Sequence, residues 1–115
     1  MATTYGTEKL IAGDIKTDQA PMAVDTYYRG MPLKYTASSS NYYEYDSSVL
    51  ATVAIYLGDS VSSSRVIAVS EDRDSIIVFG DIQEAGIVND SGVAITITND
   101  MIAACATNGL FIKRS

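Results

Sequence analysis

The strongest constraint on the fold is a succession of short β-type segments that recur every eight to twelve residues or so from residue 20 onward. Glycine, asparagine, aspartate and serine separate these segments, as expected for turns. Segment 50–59 is apolar almost throughout, which predicts a strand buried on both faces. The other predicted strands are 20–26, 30–35, 42–46, 65–72, 75–81, 82–90 and 92–98, with an acidic turn at 70–74. The spacing predicts a mainly β fold, a small β-rich domain of barrel-like form.

A single stretch near the carboxyl end has the signals of a helix. Thr98 or Asn99 is suited to cap its amino end, and Asp100 places a negative charge at the positive end of the helix dipole. Gly109 supplies a left-handed exit. The following residues, 110–113, predict a last strand that returns to the sheet. One short C-terminal helix is therefore expected.

The first nineteen residues differ from the rest of the chain. They show neither helical nor strand periodicity over a useful length, and their apolar pair is Leu10 and Ile11. We therefore expect a flexible, mobile N-terminal arm over residues 1–19 and one β-rich domain over residues 20–115. A chain of 115 residues has no room for a second full domain.

Charge and hydropathy limit the classes of partner. Fourteen acidic against eight basic side chains give a net charge of −6, which repels phosphate backbones and anionic headgroups. No run approaches the roughly 20 apolar residues of a membrane span, and the first residues lack the features of a signal peptide. We expect no nucleic-acid partner, no membrane association, and synthesis in the cytoplasm.

The residue types argue against catalysis. Histidine is absent, which removes the commonest general base and metal ligand, and the glycines are scattered singly rather than gathered in a phosphate loop. Two acidic groups have the residue types of a hydrolytic pair. Solvated surface is the favoured interpretation of the first group, and the second, which could also hold a cation, lacks the dense run of oxygen ligands of a calcium loop. The lone Cys105 fits a buried thiol. The sequence predicts no enzyme, no catalytic residue, no metal and no cofactor; the acidic groups are Glu71 with Asp72 and Asp74, and Asp81 with Glu84.

Eight tyrosines are many for a chain of this size. Tyr27 and Tyr28 flank a turn, and Tyr43 belongs to a strand with two further tyrosines. Tyrosine offers a large contact area and a hydroxyl that tolerates water, which suits an interface. Core packing and subunit contact explain these side chains about equally well, and Tyr27, Tyr28 and Tyr43 are the candidates for a subunit interface.

The order of the segments resembles a known family. "GMPLKY", "YYEYD", "ATVAIYLGDSV", "IIVFGDIQEAGIV", the helix "NDMIAACATNG" and the strand "LFIKR" follow one another as in the head decoration proteins of lambda-like bacteriophages. The resemblance covers residues 20–114 and lies in order and spacing, since the individual motifs are weak. The N-terminal segment departs from it, because the proline and small residues common in the family's arm are sparse here.

The resemblance implies a non-enzymatic structural protein on the outside of an expanded icosahedral capsid. Such proteins are usually homotrimers at local threefold positions, where they cement subunits of the major capsid protein against the pressure of packaged DNA. The family's arm becomes ordered on the shell, often by adding a strand to it. For this chain, Tyr5, Leu10 and Ile11 are then the expected capsid-binding side chains, and the virion exterior is the expected location.

A second hypothesis comes from a different class. A β-barrel module that recognises a host surface or a glycan through its tyrosines, or a minor tail component, has the same composition. A decoration protein needs its arm, whereas a glycan-binding module does not.

Overall fold

The computed structural model describes residues 10–37, 41–58, 64–67 and 72–114. Within these ranges the chain is mainly strand with one α-helix. The predicted fold class, a β-rich barrel-like domain with one short C-terminal helix, is confirmed. The strands are β1 Ile11–Met22, β2 Asp25–Tyr28, β3 Pro32–Ala37, β4 Asn41–Tyr45, β5 Ala54–Tyr56, β6 Ser64–Ile67, β7 Asp72–Gln83 and β8 Leu110–Lys113; Glu84–Gly86 is a 3-10 turn and α1 is Asn99–Thr107.

The main sheet closes on itself. Its strand order is β1-β4-β3-β5-β7-β8, and a further pairing of β1 with β7 joins the sheet into a ring of five strands. The longest pairing joins β1 and β7, which are antiparallel from Ile11↔Ile82 to Met22↔Asp72. β8 runs parallel to β7 from Gly80↔Leu110 onward. The ring closes narrowly at β1 and β4, which meet at the single pair Met22↔Tyr43.

A separate two-stranded ribbon packs against the ring. It consists of β2 and β6, antiparallel from Asp25↔Ile67 to Tyr28↔Ser64. Tyr27 and Ile67, which face inward, are fully buried in the same apolar cluster as ring residues such as Leu33 and Ile76. The ribbon therefore shares the core of the ring.

Strands β5 and β7 separate two apolar clusters. Ile76 of β7 and Tyr56 of β5 belong to the cluster shared with the ribbon. The neighbouring Ile77 and Ile55 point the other way, into a cluster that includes helix residue Cys105. Burial of consecutive residues is why segment 50–59 reads as continuously apolar, and the predicted two-sided burial is confirmed for β5.

The helix forms where the sequence predicts it. Thr98 is its N-cap and accepts a hydrogen bond from the Met101 backbone N–H at 3.3 Å through Oγ1, and Asp100 lies in the first turn. Gly109 follows with a φ of 86°, a left-handed conformation that favours glycine. Among the described residues, no helix is long and apolar enough to cross a membrane.

From Ile11 onward the structure differs from the predicted flexible arm. Residues 11–19 lie in β1 and pair with β7. Most of their side chains are exposed, so main-chain pairing rather than apolar burial holds this part of the strand, and no hydrophobic periodicity marks it. Residues 1–9 lie outside the described ranges, and for them the arm stays a prediction.

Three local predictions are wrong. Asp72 and Asp74 belong to β7 rather than to an acidic turn, which leaves only residues 70 and 71 of that turn, outside the described ranges. β7 continues through Gly80, whose φ of 135° accommodates the close approach of β1, so 75–81 and 82–83 form one strand. Beyond it, residues 87–98 contain an isolated bridge between Val88 and Ala94 instead of two strands.

Candidate binding surfaces

The predicted capsid-binding residues occupy different places. Tyr5 lies outside the described residues. Leu10 is buried in the cluster beside the helix, and its carbonyl accepts a hydrogen bond from the Gln83 backbone N–H at 2.7 Å. Ile11 is half-buried and packs against the same cluster. The assignment of Leu10 to a shell contact is therefore corrected, because its side chain is buried in this chain's own core. Ile11 is half-buried against the same core.

Tyr27 is a core residue rather than a subunit contact. Its side chain is fully buried, its ring stacks on that of Tyr56 with centroids 5.4 Å apart, and its hydroxyl donates to the Ala23 carbonyl at 2.7 Å. Stacking and a satisfied hydroxyl stabilise a tyrosine within a core. The prediction of Tyr27 at a subunit interface is corrected accordingly.

Tyr28 and Tyr43 are half-buried and keep exposed surface. The ring of Tyr28 covers Gly92, where an added Cβ would come within 2.8 Å of the ring. Tyr43 faces Tyr35 across β3 and β4 in an edge-to-face pair with centroids 5.0 Å apart. Burial, and then the neighbouring Tyr35 and Asp18, raise the pKa of Tyr43. Both side chains remain interface candidates.

An exposed aromatic pair lies on the outer face of β7 and β8. Phe79 and Phe111, the two phenylalanines of the chain, pack edge to face with centroids 5.7 Å apart. Phe79 is 49% exposed and Phe111 37% exposed. The Phe79 ring lies over Gly109, where a Cβ would come within 2.6 Å of it. We call Phe79 and Phe111 the aromatic patch.

Sequence reasoning missed the aromatic patch. Phe79 lies in a predicted strand between apolar neighbours, so its pattern does not show which face it occupies. Phe111 alternates with the buried Leu110 and Ile112, and that alternation is the signal that was present. The other exposed large apolar side chains in the described ranges are Val24, Tyr35, Leu50, Val66 and Val93.

Two buried carboxylates serve the structure. Asp46 accepts hydrogen bonds through Oδ2 from the Ala51 backbone N–H and the Thr52 hydroxyl, both at 2.9 Å. Asp74 accepts from the Tyr56 hydroxyl at 2.5 Å and forms an ion pair with Arg65 at 2.9 Å. Burial raises the pKa of Asp74, but the hydrogen bonds from Tyr56, Arg65 and Ser75 and the charge of Arg65 outweigh it, so the pKa is lowered.

The acidic side chains with the residue types of a hydrolytic pair face basic partners at the end of β8. Asp81 lies 3.9 Å from Lys113, and Glu84 lies 3.7 Å from Arg114. The described residues contain no cluster of three or more acidic or cysteine side chains that could hold a metal ion. Glu71 lies outside the described ranges. These contacts are those of partly exposed surface ion pairs.

Cys105 is buried among apolar side chains, as predicted. Burial, with a smaller contribution from the charge of Asp46, raises the pKa of its thiol to about 11. A thiol with so high a pKa carries almost no thiolate at neutral pH and is a poor nucleophile.

Compared with known proteins, the chain matches no family model, no curated protein and no solved structure.

Proposed function

We propose that this chain is a non-enzymatic structural protein that decorates the exterior of an expanded bacteriophage capsid. It binds as a homotrimer at local threefold positions and cements neighbouring subunits of the major capsid protein against the pressure of packaged DNA. The proposal rests on the resemblance in segment order and on one structural observation, the aromatic patch.

The aromatic patch supports a binding role because it is both exposed and rigidly mounted. β7 pairs with β1, β5 and β8, so the backbone under Phe79 is held on both sides. The patch keeps two rings partly in water, although a chain of this size gains stability from every apolar side chain that it buries. Exposed aromatic groups on a rigid wall are typical of interface centres.

The chemistry of the described residues supports a role without catalysis. Histidine is absent from the whole sequence. The two buried aspartates, Asp46 and Asp74, accept hydrogen bonds from this chain's own donors, and Asp81 and Glu84 face basic side chains. All four carboxylates therefore have partners within the chain, which is the arrangement of structural side chains.

The proposed capsid-binding arm is shorter than the predicted arm of residues 1–19. β1 begins at Ile11, so the segment assigned to the shell is residues 1–9, with Tyr5 as its aromatic contact. An extended segment that pairs with an exposed strand gains affinity through its main chain and needs few side-chain pockets. Three such segments on one trimer multiply weak contacts through effective concentration. Tyr28 and Tyr43 are the proposed subunit contacts.

Sedimentation with empty shells tests the proposal. The purified chain is mixed with expanded and unexpanded shells assembled from the major capsid protein of the same genome, and the bound copies are counted. We expect three copies for each threefold position on expanded shells. Deletion of residues 2–9 and, separately, Phe79→Ser should each reduce binding at least roughly tenfold, as expected for interface anchors. A Val93→Ser variant, also exposed in the free chain, is the matched control.

The outcomes are distinct. Binding to expanded shells that is unaffected by both changes would contradict the proposed surfaces. A chain that does not bind these shells at any concentration tested would contradict the proposed function itself.

A second candidate function is recognition of a glycan on a host surface. The observation that favours it is the pair of Tyr35 and Tyr43, because Tyr35 is 48% exposed and a tyrosine ring offers a flat apolar face with a polar rim. Binding of the chain to a glycan array, lost in Tyr35→Ala and retained after deletion of residues 2–9, would favour this function over capsid decoration.

A further inference from the structure

In the described part of the chain, β6 pairs with β2 and with no other strand. An unpaired edge presents backbone N–H and C=O groups in a row and can accept another strand.

The hydrogen bonds of β2 show which main-chain N–H and C=O groups of β6 point away from the ribbon. In an antiparallel pair, opposed residues alternate between those that exchange main-chain hydrogen bonds and those that do not. The Thr26 N–H donates to Asp25 Oδ1 at 2.8 Å, and the Tyr28 N–H donates to the sulfur of Met31 at 3.0 Å. Neither N–H is therefore directed at β6. Thr26 and its opposite Val66 form a non-exchanging pair, so the N–H and C=O of Val66 point away from β2.

The same hydrogen-bond pattern occurs between two strands of the ring, where the outward carbonyl has a visible partner. Gln19 and Ser75 oppose each other across β1 and β7, and each N–H donates to the side chain of the preceding aspartate. The Ser75 carbonyl points away from β1 and accepts from Leu57 and Gly58, both at 3.0 Å. At Val66 the equivalent direction leads to the open edge.

The side chain of Val66 is exposed at the same place. Tyr27 and Ile67 are buried on the inner face of the ribbon, so Val66, next to Ile67, lies on the outer face. It is 67% exposed, the highest value among the large apolar side chains described. Exposed main-chain groups and an exposed β-branched side chain therefore coincide at one residue of an edge strand.

We propose that β6 pairs antiparallel with β6 of a second copy of this chain, about a twofold axis at Val66. In this register the two Val66 residues exchange two main-chain hydrogen bonds and bury their side chains against each other. Arg65 lies opposite Ile67 of the second copy rather than opposite another arginine, and its charge is already paired with Asp74. Because the edge is self-complementary about this residue, pairing closes at two copies and does not continue into a fibre.

The second copy is favoured over an unrelated strand by this self-complementarity. The contact is small, since β6 has four residues and stable complexes bury about 1,200–2,000 Å² in total. Two chains of net charge −6 also repel each other. We therefore expect a weak dimer that strengthens with added salt, which screens this repulsion. The inference does not depend on the proposed function, because it concerns a contact between free copies.

Disulfide cross-linking tests the register. In Val66→Cys the two sulfurs meet at the axis, where Cα atoms of an exchanging pair lie about 5.5 Å apart, within the range of a disulfide. Val24→Cys is the matched control: Val24 is 59% exposed but lies beyond β2, so that its two copies are separated by several strand spacings of about 4.8 Å. The native Cys105 is buried and does not compete.

Under mild oxidation, Val66→Cys should form a species of twice the chain mass roughly ten times faster than Val24→Cys or more, because pairing raises the effective concentration of the two thiols. A denaturing gel reports this species whatever the native assembly, so a trimer does not obscure it. Equal rates for the two variants would overturn the proposal.

Sedimentation equilibrium provides a second measurement that needs no cysteine. Val66→Asp places two carboxylates at the axis and should abolish the salt-strengthened association of two copies. Val93→Asp, the same change at a side chain 59% exposed outside the ribbon, should leave it intact. Association that survives Val66→Asp, or none in the unchanged chain at the highest soluble concentration, would equally overturn the proposal.

Discussion

Two aromatic pairs of this chain show opposite uses of the same kind of side chain. Tyr27 and Tyr56 stack inside the cluster shared by ribbon and ring, with both rings almost completely buried. Phe79 and Phe111 pack edge to face on the outside, although phenylalanine is the less polar residue. The tyrosines reach the core because their hydroxyls find acceptors there, Ala23 and Asp74. Polarity alone therefore does not decide which aromatic side chain is buried.

Buried and exposed aromatic pairs should also differ in how much they contribute to the stability of the chain and to binding. Removing a buried ring leaves a cavity and unpaired partners, whereas removing an exposed ring costs the chain little. If the exposed pair serves a partner, its loss should appear in binding and not in unfolding.

The largest loss is expected for Tyr56→Ala. The change removes a buried ring that stacks on Tyr27 and a hydroxyl that donates to Asp74. We expect the free energy of unfolding to fall by about 3–5 kcal/mol, the usual cost of removing a large buried aromatic side chain. Urea titration followed by circular dichroism measures it. Tyr35→Ala, at an exposed ring, is the control and should cost under about 1 kcal/mol; equal losses would break the comparison.

Tyr56→Phe separates the hydroxyl from the ring. The stack on Tyr27 is kept, but Asp74 loses the donor at 2.5 Å. A hydrogen bond to a charged group contributes about 1.5–3 kcal/mol, and we expect a loss near the lower end because Arg65 and Ser75 still serve the carboxylate. The same urea titration applies. A loss as large as that of Tyr56→Ala would mean that the ring itself contributes little.

A pH series with Asp74→Asn examines the charge in the buried region. The folded pKa of Asp74 is lowered, so its stabilisation is present above the unfolded pKa of about 3.9 and is lost as the pH falls through the lower folded value. We expect the unchanged chain to exceed the variant by about 1 kcal/mol at pH 7, in view of the half-exposed Arg65 partner. The difference should shrink below pH 4 or so. A constant difference down to pH 2 would contradict the assignment.

The smallest effect on stability is expected for Phe79→Ala. The exposed pair with Phe111 is lost, at a cost of about 0.5 kcal/mol. Shell binding, measured by sedimentation, should nevertheless fall as proposed above. Gly109→Ala is a useful companion, because an added Cβ would come within 2.6 Å of the Phe79 ring and displace it without deleting it. This change also strains the backbone at a φ of 86°, so its stability is measured together with its binding. Retained binding in both variants would place the interface elsewhere on the molecule.

Much of the fold could be predicted because its signals are local. The cap at Thr98, the left-handed Gly109 and the continuous apolar run around β5 are each contained within about ten residues, and the structure confirms all three. The absence of histidine is likewise a property of the sequence alone. The first three features determined the fold class, because none of them depends on a tertiary contact.

The sites could be predicted less well because they depend on long-range contacts. Residues 11–19 are mostly polar or small and become a strand only because β7, some sixty residues later, pairs with them. Leu10 and Tyr27 were expected at surfaces, and both are buried because the closed ring and the ribbon enclose them. A pattern of residues gives the alternation of a strand but not which of its faces will meet the rest of the chain.

By itself, the sequence determined a mainly β domain with one capped helix, since propensity and capping act over short distances. Only the tertiary structure decided that the sheet closes through β1 and β7 and that Tyr27 faces inward and Phe79 outward. It also placed Val66 at an edge of β6 that pairs with no second strand among the described residues. The physical reason is that burial and main-chain pairing are shared between residues distant in sequence, and neither partner alone carries the information.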